Sequence, residues 1–139
     1  MSKKNPKGLP IPTSETKPFW DGCKKHELHI QKCLECESHQ FYPRLYCMRC
    51  MSDRVHWVRA SGRATIVSFT VVHRPVTKAF EADVPYVVAL VKLEEGPQLM
   101  TNIVGCDPQE VHIEMQVSTA FDDWSDEISV LKFRPSVPE

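Results

Sequence analysis

The sequence has 139 residues, of which 42% are hydrophobic and 25% are charged, and its formal net charge is −1. This length excludes a TIM barrel or a complete dinucleotide-binding enzyme, and the composition is that of a globular protein. No apolar run approaches about eighteen residues, so we expect no membrane span and no membrane partner. The first residues lack the apolar stretch of a signal peptide, and we therefore expect a cytoplasmic protein.

The small net charge hides a basic half and an acidic half. Residues 1–20 carry four lysines and one acidic residue, and residues 21–63 carry eight basic residues and five acidic ones. Residues 64–139 reverse the balance, with five basic residues and twelve acidic ones. A nucleic-acid-binding barrel would need basic residues on its strands, so this distribution disfavours a single-stranded nucleic-acid-binding module, which we keep as the alternative function.

The N-terminal region predicts an extended arm followed by a helix and a strand. Prolines and scattered lysines in residues 1–13 are typical of an extended arm. We expect a short helix within residues 14–27, with Ser14 or Thr16 as its cap, and then a lead-in strand at 28–31. Together the helix and the lead-in strand form a predicted segment at 14–30.

The remainder of the chain predicts β structure without a long helix. Runs of β-branched and alternating apolar residues between turn signals predict strands, and five such strands are typical of an OB-fold barrel, here over residues 57–139. A small sandwich is the alternative, but it normally requires seven strands. The five strands are predicted at 64–73, 85–93, 98–104, 115–121 and 128–133, with an additional short strand at 111–113.

Four of the six cysteines form two C-x-x-C pairs within residues 31–56. Each two-residue spacer lets both thiolates turn toward one ion, and two pairs complete a tetrahedron of four sulfurs, as in a zinc ribbon. Because this set leaves no open coordination position, we expect a structural Zn²⁺ site; iron shares the same ligand set and stays open here. The predicted ligands are Cys33, Cys36, Cys47 and Cys50.

Another hypothesis, besides nucleic-acid binding, is that the chain is an enzyme on its own. Cys23 and Cys106 remain outside the pairs, and we interpret both as small buried residues rather than nucleophiles. Acidic residues at 122–123 and 126–127 lie in a polar loop, which favours solvated side chains over acid–base catalysis. His73 and Tyr86 are interpreted as core or strand-end residues, because no motif links either of them to a nucleophile.

The order of these motifs resembles a known protein family. Pro18-Phe19-Trp20-Asp21-Gly22 precedes the two cysteine pairs, and Ser61-Gly62-Arg63-Ala64-Thr65 leads into the first predicted barrel strand. Thr101-Asn102-Ile103-Val104-Gly105-Cys106-Asp107-Pro108 and a final Phe133-Arg134-Pro135 complete the order. The chain beyond residue 14 is similar to the OB-fold proteins with an N-terminal rubredoxin-like zinc ribbon called domain of unknown function 35. It departs from them at Glu37 and Met51, where such knuckles often carry glycine.

The resemblance implies a mainly β fold, with an N-terminal helix and zinc ribbon before a five-stranded OB-fold barrel. It also implies a non-catalytic accessory subunit that assembles with a thiolase-superfamily enzyme, as an α₂β₂ hetero-oligomer, in thiolytic or aldol-type cleavage of acyl-CoA. The leading case is the zinc-finger subunit of an aromatic acyl-CoA thiolase, such as benzoylsuccinyl-CoA thiolase. In that case the catalytic residues reside on the partner, and CoA or acyl-CoA is a ligand shared with it.

Aromatic and basic residues in the first half are the predicted contacts to acyl-CoA or to the partner. Aromatic rings can stack on adenine or on a protein partner, and guanidinium groups suit the phosphates of CoA. The candidates are Phe19, Trp20, Tyr42, Arg44, Arg49, Arg54, Arg59 and Arg63.

Overall fold

A computed structural model describes residues 11–74 and 84–136 of the chain. Most of the predicted N-terminal arm lies outside these residues, as do parts of the predicted barrel region at 75–83 and 137–139. Within the described ranges, no helix is long and apolar enough to cross a membrane.

Helix α1 is shorter than the predicted 14–27 and spans Lys17–Lys24. Thr16 occupies the N-cap position, but its side chain makes no capping bond to the helix and instead contacts Thr13, so the predicted cap is wrong in its chemistry. After Lys24 the chain turns, and His26 adopts a left-handed backbone conformation with φ of 59°. This turn ends the helix and directs the chain into the first strand.

The first sheet contains three antiparallel strands in the order β2-β1-β3. The predicted lead-in strand is the central strand of this sheet, because it pairs on both sides. It also extends to Cys33, beyond the predicted 28–31. Trp57 lies in β3, opposite Gln31 of β1, so β3 pairs with the ribbon sheet and not with the barrel. The strands are β1 His29–Cys33, β2 His39–Gln40 and β3 Val55–Arg59.

The five-stranded barrel is confirmed. Among the described residues it closes in the order β4-β5-β6-β8-β7, with one parallel contact between β6 and β8. The short strand predicted at 111–113 is wrong: these residues form no strand and follow a 3₁₀ turn at Pro108–Glu110, in which the Asp107 side chain accepts a hydrogen bond from the Gln109 N–H. The barrel strands are β4 Arg63–Val72, β5 Tyr86–Leu93, β6 Gln98–Ile103, β7 Gln116–Asp123 and β8 Ser129–Pro135.

One hydrophobic core joins the helix, the base of the ribbon sheet and the barrel. Cys23 of α1, Leu28 just before β1 and Ile30 of β1 belong to the same buried cluster as Phe133 of the barrel. Alternation across the start of β1 explains this: Leu28 and Ile30 point to the core, whereas the partly exposed His29 contacts the carboxylate of Glu27 at 3.0 Å. The ribbon sheet is therefore attached to the barrel by the packing of Leu28 and β1 in the common core.

Gly22 permits the close approach of α1 to β1. A Cβ atom at this position would collide with the imidazole ring of His29 and would lie 2.9 Å from the carbonyl oxygen of Glu27. Neither group can easily move away: His29 belongs to a paired strand, and its imidazole is hydrogen-bonded to the carboxylate of Glu27. The helix can pack here because the side chain is absent.

We predict that Gly22→Ala lowers the free energy of unfolding by about 2–3 kcal/mol, because strain from the added methyl exceeds the gain in helix propensity. Urea unfolding of the metal-loaded protein measures this change. Lys24→Ala, on the exposed side of the same helix, is the control and should change stability by less than about 0.5 kcal/mol. Equal stability of the wild type and Gly22→Ala would contradict the packing argument.

Candidate metal centre and contact surface

The structure brings the four cysteines of the two C-x-x-C pairs into one cluster. Their sulfur atoms all lie within 4.8 Å of one another. Cys33 and Cys50 are 3.6 Å apart at sulfur, as are Cys36 and Cys47. A tetrahedral ion with Zn–S bonds of about 2.3 Å places its sulfurs about 3.8 Å apart, so the donor set fits zinc.

Backbone and side-chain donors surround the sulfur atoms. The N–H groups of Glu35 and Arg49 donate to the sulfurs of Cys33 and Cys47, at 3.3 and 3.4 Å. The N–H of Cys50, and after it that of Arg49, lowers the pKa of Cys47 to about 6. At Cys47 these donors favour the thiolate form, which is the form that binds a metal.

Ser38 adds a donor between the two knuckles. Its hydroxyl lies 3.0 Å from the sulfur of Cys36 and 3.6 Å from that of Cys47. The hydrogen bond from this hydroxyl lowers the pKa of Cys36. Because four thiolates complete a tetrahedron and leave no site for substrate, the cluster supports a structural Zn²⁺ rather than a catalytic one.

Both knuckles use left-handed residues where a glycine would be expected. Glu37 and Met51, which follow the second cysteine of each pair, have φ values of 63° and 64°. The side chains are tolerated there because both are exposed. The backbone therefore adopts the glycine-type turn without glycine, at a cost of about 1–2 kcal/mol for each residue.

The other cysteines lie in different surroundings. Burial raises the pKa of Cys23 to about 12, and burial together with the nearby carboxylates of Glu110 and Asp107 raises that of Cys106. Neither is an activated thiolate. Residues 122–123, predicted in a polar loop, instead end strand β7, and Asp123 contacts His26 at 2.9 Å, so this carboxylate helps to join the helix turn to the barrel.

The predicted aromatic contacts come together at the junction of helix, ribbon and barrel. Phe19 makes edge contacts to Trp20 and Phe41, with ring centroids 5.0 and 5.4 Å apart. The Tyr42 hydroxyl accepts a hydrogen bond of 3.2 Å from the Met100 N–H of β6. These residues line an apolar groove of about 270 Å³, which we call the aromatic groove.

A second apolar surface lies on the zinc ribbon between and around the second pair of cysteines. Leu45, Tyr46 and Met48 are 63%, 51% and 64% exposed, and Tyr42 beside them is 51% exposed. We call these four residues the ribbon face. Of these four residues, only Tyr42 is among the predicted contacts. The other three could have been found by noting that a loop held by metal ligands has no core of its own, so its apolar side chains stay exposed.

The five candidate arginines do not share one site. Arg54 pairs with Glu35 at 2.9 Å, Arg59 with Glu27 at 3.7 Å, and Arg63 with both carboxylate oxygens of Glu94. Each of these pairs is exposed, and each arginine has a local carboxylate partner.

Arg44 and Arg49 differ from the other three. Within residues 11–74 and 84–136, no carboxylate lies within ion-pair distance of either guanidinium group. Both are exposed and belong to the loop that carries the ribbon face. They are therefore the candidate arginines whose charge is left for a ligand or a partner.

Comparison with known families matches two successive domain models. Residues 20–56 match the rubredoxin-like zinc ribbon domain of ChsH2, and residues 57–122 match the C-terminal OB-fold domain of ChsH2. The zinc ribbon match supports zinc over iron, which the sequence left open. It also agrees with the clustered sulfurs.

The chain matches different shares of two relatives. A probable enoyl-CoA hydratase alpha subunit of Thermomonospora curvata is 37% identical over all of this chain, which spans only 44% of that relative. A DUF35 domain-containing scaffold protein of Methanothermobacter thermautotrophicus is 35% identical over 70% of this chain and 74% of its own length. The chain thus spans less than half of the first relative and most of the second.

Among solved structures, the chain is similar to one in a complex described as "Ltp2-ChsH2(DUF35) aldolase". The TM-score is 0.82 at 35% sequence identity, over 92% of this chain and 99% of that one. The similarity therefore includes both the ribbon and the barrel.

We predict that Cys47→Ser removes the bound metal, because three sulfurs no longer complete the tetrahedron. The purified wild type should contain a single zinc ion per four-cysteine cluster, measured by elemental analysis. Cys106→Ser is the matched control and should keep its zinc. Full zinc content in Cys47→Ser, or loss in Cys106→Ser, would contradict the assignment of ligands.

We also predict that Met51→Gly raises the free energy of unfolding of the zinc-loaded protein by about 0.5–1 kcal/mol. Glycine relieves the left-handed strain, and its own entropic cost is smaller. Met48→Gly, at an equally exposed position without a positive φ, should instead lose about 0.5–1 kcal/mol. Urea unfolding measures both, and a change of the same sign in the two variants would refute the explanation.

Proposed function

Because this chain belongs to the family of zinc-ribbon and OB-fold proteins called domain of unknown function 35, we propose that it is a non-catalytic accessory subunit. Its partner in this proposal is a thiolase-superfamily catalytic subunit, and the complex cleaves carbon–carbon bonds of acyl-CoA substrates by a thiolytic or aldol-type reaction. Cys33, Cys36, Cys47 and Cys50 hold a structural zinc ion that keeps the ribbon folded. The reacting groups belong to the partner.

The observation that carries the proposal is the exposed ribbon face. Large apolar side chains that stay exposed in a folded protein are typical of protein–protein contacts. Leu45, Tyr46 and Met48 extend from a metal-held loop, so they are presented rigidly and lose little entropy on binding. The scaffold protein of Methanothermobacter and the solved aldolase complex, both similar to this chain, support a role in assembly.

A shared acyl-CoA site is supported by the charge beside the ribbon face. CoA carries a pyrophosphate and a phosphorylated ribose, which guanidinium groups bind well. Arg44 and Arg49 have no carboxylate partner among the described residues and are the first candidates for these phosphates. The relative from Thermomonospora is described as a subunit of an enzyme acting on an enoyl-CoA, which supports this class of ligand.

The aromatic groove gives the complex a second contact. Phe19 and Trp20 are partly buried and pack edge-to-face within the chain, whereas Tyr42 is exposed, and all three line the groove. We propose that an apolar side chain of the catalytic subunit, or the acyl-CoA at the entrance to its active site, occupies the groove. Thiolase-type enzymes commonly form dimers, so we propose an α₂β₂ complex, with an aromatic acyl-CoA as the leading substrate.

Purification of the protein from its native source tests the proposal. A thiolase-superfamily subunit should co-elute with the chain on size exclusion and be identified by mass spectrometry. Acyl-CoA cleavage should require both subunits. Recovery of the chain alone, or turnover of acyl-CoA by the chain without a partner, would refute it.

We predict that Tyr46→Asp weakens binding of the catalytic subunit at least about ten-fold, because a buried aromatic contact at an interface is worth about 2 kcal/mol or more. Ile113→Asp is the matched control: Ile113 is 52% exposed but lies outside the ribbon, and its substitution should leave the affinity unchanged. Isothermal titration calorimetry of the two variants separates a contact through the ribbon face from a general effect of surface charge. Equal affinities for Tyr46→Asp and the wild type would contradict this contact.

A further inference from the structure

A cavity of about 440 Å³ lies beside strands of the barrel. The first residues of β5, the last residues of β6 and the middle of β8 line it, and most of this wall is apolar. Its volume is in the range of pockets that hold small molecules. Its polar side chains are those of Asn102, Trp124 and Lys132, together with Tyr86 and Cys106.

Lys132 brings a positive charge to the wall of this cavity. Its side chain is only 17% exposed and its ammonium lies 2.9 Å from a carboxylate oxygen of Asp122. The same oxygen accepts a 2.9 Å hydrogen bond from the Trp124 indole N–H, and the ammonium lies 6.0 Å from the centroid of that indole. Lys132 and Trp124 are thus fixed relative to each other by one carboxylate.

The ammonium keeps donors for a ligand. It carries three N–H groups, and its hydrogen bond to Asp122 uses one of them. A half-buried ammonium gains most from a partner that satisfies its other donors without further desolvation. An oxygen acceptor on a ligand in the cavity provides such a partner.

The surrounding charge selects a neutral acceptor over an anion. Asp122 already balances the charge of Lys132, so the ammonium brings no unpaired positive charge to the cavity. An anionic ligand would therefore lose its hydration without gaining an unpaired cation, whereas a neutral carbonyl oxygen has much less hydration to lose. The indole of Trp124 and the apolar wall favour a flat, apolar body beside that carbonyl.

We propose that this cavity binds an uncharged aromatic carbonyl compound. The carbonyl oxygen accepts a hydrogen bond from Lys132, and the ring packs against Trp124 and the apolar ends of β5 and β6. Binding is noncovalent, since Cys106 in the same wall is not an activated thiolate. This site is independent of the catalytic partner, because the described chain supplies all the groups that the proposal names.

Benzamide is the probe, added to the full-length zinc-loaded protein and followed by the indole N–H signals in ¹H–¹⁵N NMR spectra. The three tryptophans give an internal control: the signal of Trp124, assigned with Trp124→Phe, should shift saturably at millimolar benzamide, while those of Trp20 and Trp57 stay in place. Benzoate, which has the same ring with a charge, should bind at least five-fold more weakly. A linear, unsaturated shift or stronger binding of benzoate would overturn the proposal.

Lys132→Met should weaken benzamide binding at least five-fold, and Lys92→Met, at an exposed lysine of β5 outside the cavity, should leave it unchanged. If Lys132→Met does not fold, as judged by its NMR spectrum, Cys106→Phe serves instead, since it fills the cavity without touching the ion pair. Retention of benzamide binding in the folded variant, or in the cavity-filling one, would refute the site.

Discussion

The four-sulfur cluster is the interaction on which the ribbon depends. Between residues 34 and 59, all of which the structure describes, Cys47 is the only buried residue. This segment therefore has no hydrophobic core of its own, and its edge strand β2 contains only two residues. A metal ion bound by the two knuckles replaces the missing core: because the unfolded chain has no assembled site, the free energy of metal binding contributes to folding.

The position of the metal explains why apolar side chains remain outside. A loop that is folded by an ion does not need to turn its leucine, tyrosine and methionine inward, so Leu45, Tyr46 and Met48 stay exposed. The ribbon stands on the barrel through Leu28 and Ile30, which belong to the common core. The barrel thus acts as a support that holds the ribbon face at a fixed orientation, and the metal keeps the face in shape.

The sequence was sufficient for features that depend on local chemistry. The spacing of Cys33, Cys36, Cys47 and Cys50 allows one tetrahedron, and β-branched runs between turn residues predict the barrel strands.

The sequence was insufficient for features that depend on which distant segments pair with each other. Trp57 begins an apolar, β-type run that looked like the start of the barrel, yet its strand pairs with β1 of the ribbon. Residues 111–113 alternate like a strand, but Pro108 and Asp107 fold the preceding segment into a 3₁₀ turn. Charge pairing was equally hidden: Arg54, Arg59 and Arg63 look free in the sequence and meet Glu35, Glu27 and Glu94 only after folding.

The central claim is that the metal-held ribbon is the element through which this chain assembles with its catalytic partner. Binding of the catalytic subunit to the zinc-loaded protein and to the chelated protein tests it directly, with hydrogen exchange followed at the barrel strands. We expect chelation to abolish binding while the amides of β5 and β6 remain protected, because the barrel core does not contain the metal. Equal affinity of the zinc-free and zinc-loaded proteins would contradict the account.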